Sequence, residues 1–160
     1  MTLFGDHVEG DLARAVSLVE QTITALGIDP TASRVQTSDG SHRFALRRGS
    51  AAILVTVHPP AEKGQHGTLR VVAPVVRIPD SSKQHALYEH LLSLNVTQLV
   101  GAAFGISGDD VVLVAERSLV DLDASEVNDM VRVVGRAADR FDDVLAGEFE
   151  TTRSSDSGSS

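Results

Sequence analysis

Ala51-Ala52-Ile53-Leu54-Val55-Thr56-Val57, residues 51–57, is apolar at nearly every position, and Val71-Val72-Ala73-Pro74-Val75-Val76, residues 71–76, repeats the pattern. Strand side chains point alternately to the two faces of a sheet, so a strand with one wet face alternates apolar with polar residues. These runs are apolar at odd and even positions alike and therefore seek cover on both faces. Turn formers bound them: Arg48-Gly49-Ser50 before the first, and Pro59-Pro60-Ala61-Glu62-Lys63-Gly64 after it. With their neighbours they read as three strands, Ser41–Arg48, Ala51–His58 and Thr68–Ile78, joined by connections too short for a parallel crossover. Ser33–Thr37 is a weaker strand candidate, turned by Ser38-Asp39-Gly40. Pro74 has no N–H to give to a ladder and suits an edge or bulged position.

Helical patterns flank this meander. Val8, Leu12, Ala15, Val16, Val19, Ile23 and Leu26 fall three and four apart, which predicts an amphipathic helix. Gly27 stands where a C-terminal glycine ends a helix, and Asp29-Pro30 blocks continuation. Ser81 with Gln84 has the spacing of a capping box and opens a second helix to about Asn95, carrying Leu87, Leu91 and Leu94. Val100–Ile106 and Val111–Arg117 flank the turn Ser107-Gly108-Asp109-Asp110 and predict a hairpin. Asp123 with Glu126 caps a last helix whose apolar face is Val127, Met130, Val131, Val134, Ala138, Phe141 and Leu145. The order α-β-β-β-α-β-β-α predicts an α+β fold with a mostly antiparallel sheet flanked by helices. It reads as a single domain over residues 1–149, and residues 150–160, with little to bury, read as a disordered serine-rich tail.

The 160-residue chain carries no cysteine, a hydrophobic fraction of 42% and a net charge of −8. Disulfides, zinc fingers and thiol nucleophiles are thereby excluded. The charge has the wrong sign for an electrostatic nucleic-acid or anionic-membrane binder. No leader pattern or long apolar run is present, which points to a cytoplasmic protein that uses no membrane. Charge is uneven: residues 34–77 carry seven bases and two acids, whereas residues 121–150 carry three and nine. A solvated sheet face and an acidic helix account for this, and a two-signed docking surface is the sharper reading.

Catalytic motifs are missing. None of His7, His42, His58, His66, His85 and His90 has the partner spacing of a metal site. The acidic pairs Asp109-Asp110, Asp121/Asp123 and Asp142-Asp143 sit in a turn, at a helix cap and on a polar helix face, where acids have structural work. Gly105-Ile106-Ser107-Gly108 is one residue short of a nucleophile elbow, and no glycine-rich loop precedes a helix. Arg43, Arg47 and Arg48 with the lone aromatic Phe44 make a poor RNA platform. The expectation is a non-enzyme with no catalytic residue, metal or cofactor.

What remains is apolar surface. In the second helix Tyr88 and Leu92 project away from the Leu87, Leu91, Leu94 stripe. Together with Leu54, Val72 and Val76 of the two-faced strands they are the candidate partner-binding residues, and the uncovered sheet face calls for a helix, a second copy or a ligand.

The stretch Leu87-Tyr88-Glu89-His90-Leu91-Leu92-Ser93-Leu94-Asn95, then Phe104-Gly105-Ile106 and Val111-Val112-Leu113-Val114-Ala115-Glu116-Arg117, followed by an acidic amphipathic helix, resembles the YbjN-like family. That resemblance covers roughly residues 8–149 and implies the type III secretion chaperone fold, usually homodimeric, whose chaperone members wrap an extended partner segment over apolar patches. The expectation is accordingly a protein- or peptide-binding module that pairs with itself and holds an unidentified polypeptide by apolar contact and strand-edge pairing. The alternative is a regulatory dimer, of the kind labelled sensory transduction regulators, that senses a small ligand.

Overall fold

The computed structural model describes residues 3–158. The side chains of residues 3–8, among them His7 and Val8 of the expected first helix face, and of residues 157–158 lie outside that description, as do residues 159–160 of the tail. The elements are α1 (Leu3–Ala25), α2 (Pro30–Ser33), β1 (Arg34–Val35), β2 (His42–Arg48), β3 (Ala51–His58), β4 (Thr68–Arg77), α3 (Ser81–Thr97), β5 (Ala103–Ser107), β6 (Asp110–Ser118) and α4 (Ala124–Glu148), then a 3-10 turn at Ser154–Gly158. The strands form one six-stranded antiparallel sheet in the order β1-β2-β3-β4-β6-β5. The fold is α+β. After α3 the chain places β5 at an edge, and β6 returns between it and β4.

Contacts cluster into two compact units, each built of three chain segments. One holds Met1–Leu46, Leu54–Val71 and Glu116–Val131; the other holds Arg47–Ile53, Val72–Ala115 and Arg132–Ser160.

In the first unit, α1 buries Ala15, Val16, Val19 and Ile23. It ends at Gly27, φ +77°, where Gly27 N donates to Thr24 O at 2.9 Å and Ile28 N to Ile23 O at 3.2 Å, the paired bonds of a Schellman cap. Asp29 Oδ1 then accepts from Thr31 N at 2.9 Å with Pro30 at the first helical position, and one turn of helix follows. This corrects the expected strand Ser33–Thr37: only Arg34 and Val35 are extended, paired with Phe44 and Arg43 of β2. Phe44 is fully buried, with the Arg34 guanidinium 4.9 Å from its ring centroid and ion-paired to Glu20 of α1. Asp123 caps α4 as expected: its Oδ1 accepts from Glu126 N at 2.9 Å, and Glu126 Oε2 accepts from Asp123 N at 3.0 Å.

His58 ends β3 beside Gly67, and burial, reinforced by the Arg70 charge, pushes its imidazole below the ordinary histidine value. The neutral ring is the form the fold favours. Stability from this site is therefore complete above the unfolded-state pKa of about 6.5 and is lost as pH falls through the lower folded value. His58→Gln is expected to flatten the fall in stability between neutral and mildly acidic pH, measured by urea unfolding at several pH values.

In the second unit, β6 and β5 form a hairpin with Ser107 opposite Asp110. Gly108, φ +58°, supplies the left-handed conformation its two-residue turn requires. Gly135 of α4 lets the helix come close to the sheet: a Cβ there would lie 3.0 Å from Ile53 Cδ1 and 3.1 Å from Arg48 Cδ. The β2–β3 turn is tied to α4 through Ser50 Oγ, 2.8 Å from Asp139 Oδ1 and 2.9 Å from Asp142 Oδ2.

Three expectations are corrected in this unit. The Ser81–Gln84 capping box does not form: Asp80 is the cap without a side-chain bond, and Gln84 Nε2 donates to Pro79 O at 3.0 Å. Pro74 lies in β4, which has β3 on one side and β6 on the other, so it is not on an edge strand. The alternation of burial breaks just after it, where Val75 and Val76 are both buried. Residues 151–158, read as disordered, take a defined path: Arg153 bridges Val76, and Arg77 N donates to Thr152 O at 2.9 Å.

Candidate docking surface

Helix α3 has two apolar faces. Leu87, Leu91 and Leu94 are buried at 0%, 4% and 4% exposure. Tyr88 is half-buried, and Leu92 and Val96 follow it at four-residue steps with 66% and 86% exposure. Residues four apart stack on one helical face, so these three form a stripe. Val100, just past the helix, is 87% exposed. Water-exposed aliphatic side chains scattered singly mean nothing, but a run at one spacing on one face is a candidate docking surface.

Strand β5 adjoins this helix, and Asn95 ties the two together. Asn95 Oδ1 accepts from Phe104 N at 2.7 Å, and Asn95 Nδ2 donates to Phe104 O at 3.3 Å. The amide thus satisfies both backbone groups that Phe104 turns away from β6. Outward-facing groups recur every second residue in an antiparallel ladder, so the next outward pair belongs to Ile106, whose side chain is 53% exposed. The edge is half closed, by Asn95 at Phe104, and open at Ile106. Replacing Asn95 by Ala is expected to cost about 1–3 kcal/mol. Faster amide exchange at Phe104 with little change at Leu113 would show it.

The sheet face that alternates with the core is only partly covered. In the second unit Ala73 and Val75 of β4 are buried to 1% exposure or less, whereas Val72 and Pro74 are half-buried. Ala52 of β3 and Val114 of β6 are half-buried too, and Ala103, opposite Val114, is exposed. In the first unit Leu54 is half-buried between buried Ile53 and Val55. Of the five residues singled out from sequence, Tyr88 and Leu92 share one face of α3, and Val72 stands on the half-covered face of β4. Leu54 belongs to the other unit, and Val76 is fully buried where the tail crosses it. Val96, Val100 and Ile106 escaped the sequence reading. The signal for Val96 was the continuation of the Tyr88, Leu92 spacing past Asn95, where the helix was expected to end.

The first unit also holds an open cleft of about 560 Å³ lined by Thr31, Arg34, Val35, Gln36, Thr37, Gly40, Ser41 and His42. Its cationic groups are engaged: Arg34 pairs with Glu20, and its Nη1 lies 3.3 Å from His42 Nδ1. No group of three or more histidine, aspartate or glutamate side chains among the described residues could hold a metal. No helix of the described residues is long and apolar enough to cross a membrane.

The family model for type III secretion (YopN, CesT) and YbjN peptide-binding chaperones matches residues 13–156. The chain belongs to this chaperone family. Two solved structures share the fold. The ExsC-ExsE complex matches with a TM-score of 0.56 at 13% identity, over 91% of this chain and 97% of that one. The HopA1-SchA chaperone-effector complex matches with a TM-score of 0.56 at 11% identity, over 84% and 97%. No match was found among curated proteins. Chaperone-family membership places the resemblance read from Leu87–Asn95 on firm ground, and the asparagine of that stretch is the residue that clamps β5.

Proposed function

We propose that the chain is a cytoplasmic, non-enzymatic chaperone that pairs with a second copy of itself through α3 and the β5 edge, and holds an extended polypeptide over the half-covered sheet face. The observation that carries this reading is the exposed stripe Tyr88, Leu92, Val96 on a helix whose opposite face is already buried. The stripe is symmetric about Leu92. A two-fold axis through Leu92 sets Tyr88 of each copy against Val96 of the other, the self-complementary arrangement an isologous interface demands. The peptide-binding family and the chaperone-effector neighbour support a polypeptide as guest, and the half-buried Val72, Pro74 and Val114 of the second unit offer it apolar contact.

Photo-crosslinking separates these roles. A photoreactive residue at Leu92 is expected to join two copies of the chain, and one at Val72 to join a polypeptide of different sequence. Failure at both positions in cells would overturn the proposal. The second reading, a regulatory dimer sensing a small ligand, draws on the 560 Å³ cleft, whose volume falls in the small-ligand range. Crosslinks from Leu92 alone, with a small molecule retained by the purified chain, would favour it.

A further inference from the structure

The last residues of β4 take a partner that is neither of the strand's sheet neighbours. Successive backbone N–H groups of a strand point to opposite sides. Ile78 N donates to Asp109 O at 2.8 Å on the β6 side, whereas Arg77 N donates to Thr152 O at 2.9 Å. Thr151 Oγ1 donates to Arg77 O at 2.8 Å, and Arg153 faces Val76 in an antiparallel bridge. Side chains complete the seat. Arg153 Nη1 lies 3.2 Å from Asp143 Oδ1, and Ser154 Oγ donates to Asp110 Oδ1 at 2.6 Å. The acidic residues Asp109, Asp110 and Asp143 line this seat, with Arg77 3.4 Å from both Asp109 and Asp110.

A tail of this composition has little apolar surface to hold it down. It is held by backbone addition and by a position-by-position match of hydroxyl, carbonyl, cation and hydroxyl along Thr151-Thr152-Arg153-Ser154. We infer that the Val76–Arg77 edge is a strand-addition site for an extended basic, hydroxyl-bearing polypeptide segment, which the chain's own tail occupies in cis until a guest displaces it. The inference rests on the polypeptide-holding reading above and names, for that guest, one anchoring segment: a basic residue flanked by Ser or Thr one residue after it and two before. The strap also explains why Val76, apolar on the half-covered face, is fully buried while Val72 on the same parity is not. A guest seated here would gain the backbone pairing the tail gives up, so tail release and guest binding are two sides of one exchange.

The test uses the full-length chain carrying Arg153→Glu, which sets a carboxylate among Asp143, Asp156 and Asp110. A second variant, Thr151→Val with Ser154→Ala, removes two hydroxyl contacts without changing charge. The readout is amide exchange at Arg77, with Ile78 and Phe104 as internal controls for global unfolding. Exchange at Arg77 is expected to quicken at least tenfold in either variant while the controls hold. The synthetic octapeptide Thr-Thr-Arg-Ser-Ser-Asp-Ser-Gly, added to about 5 mM to match the effective concentration of a short tether, is then expected to slow Arg77 again in the variants and to leave the wild type unchanged. Unaltered Arg77 exchange in both variants, or a released edge that the peptide fails to protect, would overturn the inference. A variant that takes the octapeptide but crosslinks no polypeptide from Val72 would instead remove the holding function and leave the strand-addition site standing.

Discussion

Replacing Leu92 and Val96 together by glutamate is expected to weaken self-association at least about 100-fold, roughly 2.7 kcal/mol, while the folded chain keeps its stability. The two halves of this expectation have separate causes. In a lone chain both side chains stand in water, at 66% and 86% exposure, so a carboxylate there is desolvated by nothing. Glutamate is also a better helix former than valine, by a few tenths of a kcal/mol. Across a two-fold axis at Leu92, however, four carboxylates would be drawn into one apolar contact without partners, and each unpaired buried charge costs several kcal/mol. Light scattering behind a sizing column reads the association, and far-ultraviolet circular dichroism with a melting curve reads the fold. Unchanged mass in the variant would place the interface elsewhere; a collapsed melting temperature would mean that the stripe is core.

The largest effect on stability is expected at Gly67, which carries no motif. A Cβ there would stand 2.5 Å from the His58 carbonyl oxygen and 2.8 Å from Leu119 Cδ1. The methyl group of Leu119 can turn aside, but the His58 oxygen belongs to a strand backbone and cannot. Leu119 N also donates to Gly67 O at 2.9 Å, so the segment is pinned from its other side. Overpacking of this kind costs about 3 kcal/mol. For a chain of this length each kcal/mol lowers the melting temperature by about 2–4 °C, so Gly67→Ala is expected to lose roughly 6–12 °C. A loss under about 2 °C would mean that the close approach relaxes at little cost.

Much of the local chemistry was legible in the sequence. Periodicity placed every long element, Gly108 announced the hairpin, and Asp123 with Glu126 formed the reciprocal cap their spacing promises. Two of the differences have a common source, a partner far away in sequence. Pro74 lies off the edge because β6 returns to pair beside β4, and no property of residues 71–76 records that return. The tail is ordered because Arg77 and Asp110 offer it bonds, although its own composition promises nothing to bury. Pro30–Ser33 was legible, since Asp29 followed by Pro30 is a cap and a first-turn proline, but the pair was read only as a stop. The candidate surface was legible in half: Tyr88 and Leu92 declare a second apolar face on α3. The open edge at Ile106 depends on Asn95 reaching the outward groups of Phe104 and not those of Ile106, which only the folded chain displays.

Sedimentation equilibrium of the wild-type chain is the most direct test of the claim that a lone copy leaves α3 to be covered by another. Across about 1–100 μM, the range in which micromolar interfaces separate from stronger ones, the predicted result is a single species of twice the 16.9 kDa chain mass. A species of 16.9 kDa throughout would contradict the account.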